Sequence, residues 1–154
     1  MSSDRRLVSD RFPRSSKYHA DWMMSSVSGG ANSLWLTEWL TTALDLHPGM
    51  RVLDLGCGRG ASSIFLRREF GVQVWATDLW FDPSERMERI RDAGVEDGVF
   101  PIHADARSLP FAAGKLTDNR MRGEYFGSEA DFAHQPFGLT DFFGDIEAND
   151  SFWS

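Results

Sequence analysis

Along residues 32–111 the apolar positions change their spacing several times, and each change marks an element. In "LWLTEWLTTAL" the residues Leu36, Trp39, Leu40, Ala43 and Leu44 fall at i, i+3, i+4, i+7 and i+8, the stripe of an amphipathic helix with that side toward a core. Asn32 or Ser33 can cap its start, and Pro48-Gly49 supplies the turn that follows. "MRVLDLGC" then reads as a buried strand running into a glycine-rich loop. "ASSIFLRREF" returns to helix, with Ala61, Ile64 and Phe65 on one side and Gly71 at its end, and "VQVWATD" is a second strand. Asp82-Pro83-Ser84-Glu85 announces another helix, with an N-cap, a proline at the first helical position and a capping-box glutamate, and Gly94 ends it. "GVFPIHAD" is a third strand, and its Pro101 lacks a ladder donor.

Strand, helix, strand, helix, strand is the grammar of an α/β fold with a Rossmann-like parallel sheet. Right-handed crossovers give the strand order 3-2-1, which places the proline-bearing strand at an edge. Residues 1–17 read as a flexible leader, because they are polar, arginine-rich and without an apolar stripe. They contain no apolar core of the kind a secretory signal needs, and no stretch of the chain approaches a membrane span. A cytoplasmic protein is the expectation.

Composition narrows the chemistry further. A net charge of −7 argues against a general grip on nucleic acid. The single cysteine, Cys57, excludes an internal disulfide and a cysteine-built zinc site, and the four histidines form no ligand pair, so no metal is expected. His103 reads as a strand residue rather than a base, and Trp35 and Trp39 as core-facing side chains.

The chemistry concentrates after the first strand, in "VLDLGCGRGASS". Gly56, Gly58 and Gly60 let the chain turn sharply and let a ligand lie against backbone without meeting a Cβ. The next helix, beginning near Ala61, points free N–H groups at the same place. The second strand ends at Asp78, where an acid commonly accepts hydrogen bonds from ribose hydroxyls, and the third ends at Asp105. Two cofactor classes fit the loop. Gly56-x-Gly58-x-x-Ala61 satisfies the dinucleotide pattern, while Asp54, Gly56, Gly58 and Gly60 satisfy D-x-G-x-G-x-G. A nicotinamide-dependent oxidoreductase therefore stays open on spacing alone.

Taken together, "VLDLGCGRG", "VWATD" and "HADARSLPF" resemble the first three motifs of the class I S-adenosylmethionine (SAM)-dependent methyltransferases. The segment from about Phe12 to Phe111 is similar to their bacterial small-molecule branch, near the ubiquinone/menaquinone C-methyltransferases and the cyclopropane-fatty-acid-synthase group. That resemblance implies SAM as cofactor and methyl transfer to a small organic or lipid-like substrate. It implies that Gly56, Cys57 and Gly58 line the methionine and ribose portions and that Asp54 acts near the methionine end. Asp78 would bind the ribose hydroxyls with Leu79 beside the adenine, Asp105 would reach the adenine amino group, and the Ala106 amide would meet the ring. Tyr18 and Trp22 fall where such enzymes often carry a helical flap. No catalytic residue is assigned. Cys57 itself reads as a small packed residue, with no histidine beside it.

By that resemblance residues 18–111 read as a SAM-binding Rossmann-like half-domain, and the pattern breaks after "LPF". Where the family continues into a fourth strand, residues 112–154 hold no valine, one isoleucine, eight Asp or Glu against three Lys or Arg, and eight aromatic residues. This acidic, aromatic tail makes the chain read as truncated relative to the seven-stranded fold. Such a truncation leaves strand 1 with an unpaired edge, which predicts self-association or coverage by the tail. A non-catalytic cofactor-binding or interaction fragment is the alternative reading.

Overall fold

Val52, Val74 and Val99 sit side by side in register across three parallel strands, each with no exposed surface. The computed structural model describes residues 7–26 and 32–110. The strands are β1 (Arg51–Leu55), β2 (Gln73–Asp78) and β3 (Val99–His103), in the spatial order β1-β2-β3. This is the expected 3-2-1 arrangement, and Pro101 lies on β3, which among the described residues pairs with β2 alone. The readings made for residues 1–6 and for the tail beyond Pro110 fall outside the described residues.

Among the described residues four α-helices accompany the sheet: α1 (Ala20–Met24), α2 (Ser33–Thr41), α3 (Ala61–Phe70) and α4 (Pro83–Asp92). α3 packs on β2 and β3, α4 packs on β3, and α2 packs on α3. Ile64 and Phe65 of α3 and Ile90 of α4 are fully buried. Each such side chain contributes about 1.5–3 kcal/mol relative to an exposed one. A second cluster joins Tyr18, Met23 and Leu34 to Ala61 and Phe65, so that α1 and α2 close over the start of α3.

Local signals act where the pattern placed them. Asn32 Oδ1 accepts from the Trp35 amide at 3.1 Å, and Asp82 Oδ1 accepts from the Ser84 amide at 2.6 Å. Glu85 departs from the capping-box expectation: its carboxylate turns to Arg59 Nε, 3.2 Å away.

α2 departs further. The expected core stripe was Leu36, Trp39, Leu40, Ala43 and Leu44, whereas the buried residues are Leu34, Glu38 and Thr41 and the helix stops at Thr41. Trp39 is 52 % exposed, and Ala43 is exposed, while Leu40 and Leu44 pack only partly against the core. The cause is a polar contact from a distant part of the chain. Glu38 Oε2 accepts from the Ser15 amide at 2.7 Å and the Ser15 hydroxyl at 2.6 Å, and Oε1 accepts from the Arg14 amide at 3.0 Å. A carboxylate can be buried only with such partners. The partners pull α2 round so that Glu38 faces inward.

The same contacts correct the reading of residues 7–17 as part of a flexible leader. Ser15–Lys17 form a 3-10 turn with Ser15 buried, Phe12 stacks on Trp35 with ring centroids 5.4 Å apart, and Lys17 and Arg14 pair with Glu69. The polar residues that looked like a solvated arm carry the hydrogen bonds of a docked one.

Candidate functional site

The loop after β1 begins with two amides donated to one carbonyl. Gly56 N and Cys57 N both bond Thr77 O, at 2.9 and 3.2 Å, which folds the loop back over the end of β2. Gly56, Gly58 and Gly60 all have positive φ, at 75°, 55° and 87°. A side chain is strained in that region, so the three glycines answer a conformational demand of this bend. Gly60 then serves as the N-cap of α3.

The strand-end acids meet this loop. Asp78 Oδ2 accepts from the Gly58 amide at 2.8 Å, while Oδ1 accepts from the amides of Trp80 and Phe81 at 2.7 and 3.2 Å. Asp78 is thus a buried clasp, 6 % exposed, between the β1 and β2 loops. Each carboxylate oxygen has a second lone pair, so the clasp leaves acceptor capacity. Leu79 and Trp80, just beyond, are exposed.

Asp54 closes the other side. Its Oδ2 accepts from the hydroxyls of Ser62 and Ser63, both at 2.6 Å, which ties β1 to the first turn of α3. Burial raises its carboxyl above the ordinary range, against the lowering effect of the two hydroxyls. The folded protein therefore holds that proton more tightly than the unfolded chain does. Its contribution to stability is complete below the ordinary carboxylate pKa of about 3.9 and declines as pH rises through the raised native value. Asp54→Asn is expected to remove this decline. Melting temperatures measured from about pH 4 to 7 should shift progressively in favour of the variant, and a pH-independent difference would contradict the assignment.

Cys57 is buried, and burial, then the nearby Asp54, pushes its thiol well above the usual value. It stays protonated and is a packing residue, not a nucleophile. Asp105, after β3, is held by Arg107: Oδ1 accepts from the backbone amide at 2.8 Å and from Nε at 3.1 Å, and Oδ2 from the guanidinium at 2.7 Å. These bonds lower its carboxyl to about 2. Ala106 lies next to it, half-buried against the core. The structure thus joins Gly58 and Asp78 directly, while Asp54 is tied to Ser62 and Ser63 and feels the charge of Asp78 through space, and Asp105 is held by Arg107.

Tyr18 and Trp22 are packed rather than projecting. Tyr18 is buried against Phe65, with centroids 5.7 Å apart, and its hydroxyl donates to Glu69; burial, then Glu69, raises its pKa. Trp22 lies beside Tyr18 and under Arg89. The end of α1 nevertheless reaches the glycine loop, through a bond from Arg59 to Ser25 O at 3.2 Å.

Sequence reasoning missed Arg86. It is completely buried in α4, and its guanidinium donates to Gly58 O, Phe81 O and Ile102 O at 3.3, 3.1 and 2.8 Å. The available signal was an arginine four residues before the buried Ile90, on the apolar side of its helix. Among the described residues, no cluster of three or more His, Cys, Asp or Glu could hold a metal ion.

Comparison with known proteins now bears on this geometry. Residues 52–118 match the family model described as a methyltransferase domain. The chain carries this match over less than half of its length. It is similar to the methyltransferase GfsG of Streptomyces halstedii, 38 % identical over 78 residues, covering 50 % of this chain and 28 % of that one. It is similar also to the 27-O-demethylrifamycin SV methyltransferase of Amycolatopsis mediterranei, 33 % identical over 95 residues, covering 61 % and 35 %. The ubiquinone/menaquinone biosynthesis C-methyltransferase UbiE of Vibrio campbellii is 32 % identical over 96 residues, covering 59 % and 36 %. The chain therefore spans about a third of the length of the relatives it matches. Among solved structures, a proposed sarcosine dimethylglycine methyltransferase from Galdieria sulphuraria superposes with a TM-score of 0.52 at 27 % identity, over 55 % of this chain and 34 % of that one. The [4+2]-cyclase SpnF shares the fold, with a TM-score of 0.50 at 24 % identity, over 58 % and 35 %. The described strands thus form an open, parallel, Rossmann-like sheet like that of these solved structures.

Proposed function

We propose that this chain carries the SAM-binding part of a methyltransferase acting on a small organic or lipid-like substrate. The observation that carries the reading is the clasp between Asp78 and the Gly58 amide, because it sets a strand-end carboxylate beside a stretch of bare backbone. The donor set suits the ligand. SAM bears an ammonium, a sulfonium and a ribose diol, and Asp54, Asp78 and Asp105 offer carboxylates to such groups. When bound, SAM supplies an electrophilic methyl on a good leaving group.

In this reading Asp78 receives the ribose hydroxyls through its remaining lone pairs. Gly56, Cys57, Gly58 and Gly60 form the floor on which the ligand lies, and Asp54 faces the methionine end. Leu79 flanks the adenine, Asp105 meets its amino group, and the Ala106 amide meets its ring. α1, with Tyr18 and Trp22, shields one side from water. The protein's contribution to methyl transfer is alignment and exclusion of water. No helix of the described residues is long and apolar enough to cross a membrane, and the reading places the chain in the cytoplasm. It also includes self-association along the free side of β1, which among the described residues pairs with β2 alone.

Calorimetry of the full chain tests the proposal. S-adenosylhomocysteine is expected to bind, with NAD showing no heat under the same conditions. Binding of NAD with no response to S-adenosylhomocysteine would overturn the reading in favour of an oxidoreductase.

A further inference from the structure

We propose that Arg86 is a positioning residue that sets the spacing of the three loops around the nucleoside site. Its guanidinium donates to one carbonyl from each loop region: Gly58 O after β1, Phe81 O after β2, and Ile102 O near the end of β3. No other side chain among the described residues has hydrogen bonds to all three. Asp78 and Arg86 act on the same two loops from opposite polarities. Asp78 accepts the Gly58 and Phe81 amides, and Arg86 donates to the carbonyls of those same residues. Arg86 alone extends the tie to β3, the strand leading to Asp105 and Ala106.

The burial argues that this tie is more than packing. Arg86 has no exposed surface, its Nε has no partner, and none of its hydrogen bonds goes to a carboxylate. A buried cation without a paired anion is costly, and an apolar side chain of similar volume often serves stability as well or better. What an apolar side chain lacks is the planar fork that holds several acceptors at fixed separations. Gly60 fits the same arrangement: a Cβ built there would lie 4.0 Å from Arg86 Cδ, so the arginine stem runs directly beneath the glycine bend. The charge also lies near Asp54 and favours its ionised form. Arg86 is not itself among the residues assigned to the ligand, though it holds one of them, Gly58, by its carbonyl. It acts through the loops that carry them.

The inference rests on the SAM-site reading, and its test separates the two. Full-length wild type and Arg86→Lys are compared by S-adenosylhomocysteine calorimetry, thermal melting and amide hydrogen exchange. Lysine keeps the charge but cannot bridge three carbonyls. The expected result is a folded, cooperatively melting variant with affinity lowered about tenfold or more. Exchange should rise together at residues 57–60, 79–82 and 103–106 while the centres of the strands stay protected. Unchanged affinity, or faster exchange spread over the whole chain, would overturn the proposal. Should Arg86→Lys fail to fold, Arg86→Met, which removes the buried charge, is measured in its place. Failure of both to fold would show a structural keystone and likewise overturn it. If the wild type does not bind S-adenosylhomocysteine, the SAM reading fails, and the exchange pattern alone decides whether the three loops are tied through Arg86.

Discussion

Asp78→Ala is expected to weaken S-adenosylhomocysteine binding by about 1–3 kcal/mol and, separately, to destabilise the fold by about 3 kcal/mol. The two effects have different origins. Binding suffers because the acceptor proposed for the ribose hydroxyls is gone. Stability suffers because the amides of Gly58, Trp80 and Phe81 all donate to this buried carboxylate, in part-buried bonds, and lose their partner together. Asp78→Asn separates them. The amide side chain keeps one acceptor oxygen for the loop amides but presents N–H groups where the second oxygen stood. It should therefore retain more stability than alanine while still losing affinity. Urea unfolding and calorimetry on both variants check this. Wild-type affinity in a folded Asp78→Ala protein would remove Asp78 from the site.

Glu38→Ala should have a comparable effect on stability, about 3 kcal/mol, with no direct consequence for the strand-end loops. Glu38 is buried and receives two backbone amides and one hydroxyl from Arg14 and Ser15. Removing it strands those donors and leaves a gap between α2 and the 3-10 turn. The segment from Phe12 to Lys17 should then come away from α2. Trypsin should cut after Arg14 and Lys17 sooner than in the wild type, and Glu38→Gln, which keeps one acceptor, should fall between. Equal cleavage rates in all three proteins would show that the segment is held by something else, with the Phe12–Trp35 stack the first alternative.

These two carboxylates also show how far the amino-acid pattern reaches. Asp78 was legible because a strand's end and a glycine bend are both local features, and their order along the chain places them at one edge of a parallel sheet. The sheet order was legible for a similar reason: short crossovers and the missing amide of Pro101 leave few arrangements. The caps at Asn32 and Asp82 depend on residues two or three positions away, and they form as expected. α2 was misread because counting apolar residues favours Trp39 over Glu38. The count contains no information about the amides that Arg14 and Ser15 bring from more than twenty positions upstream. Arg86 escaped notice for the same reason, since its three acceptors belong to residues 58, 81 and 102.

Read alone, the chain determined where backbone must bend without side chains, where strands end, and which acids stand at those ends. Such properties follow from dihedral preferences and from neighbours a few residues apart. The tertiary structure decided which charged groups are buried and what each one holds. Removing a charge from water is favourable only when enough partners converge on it, and for Glu38 and Arg86 those partners come from distant parts of the chain.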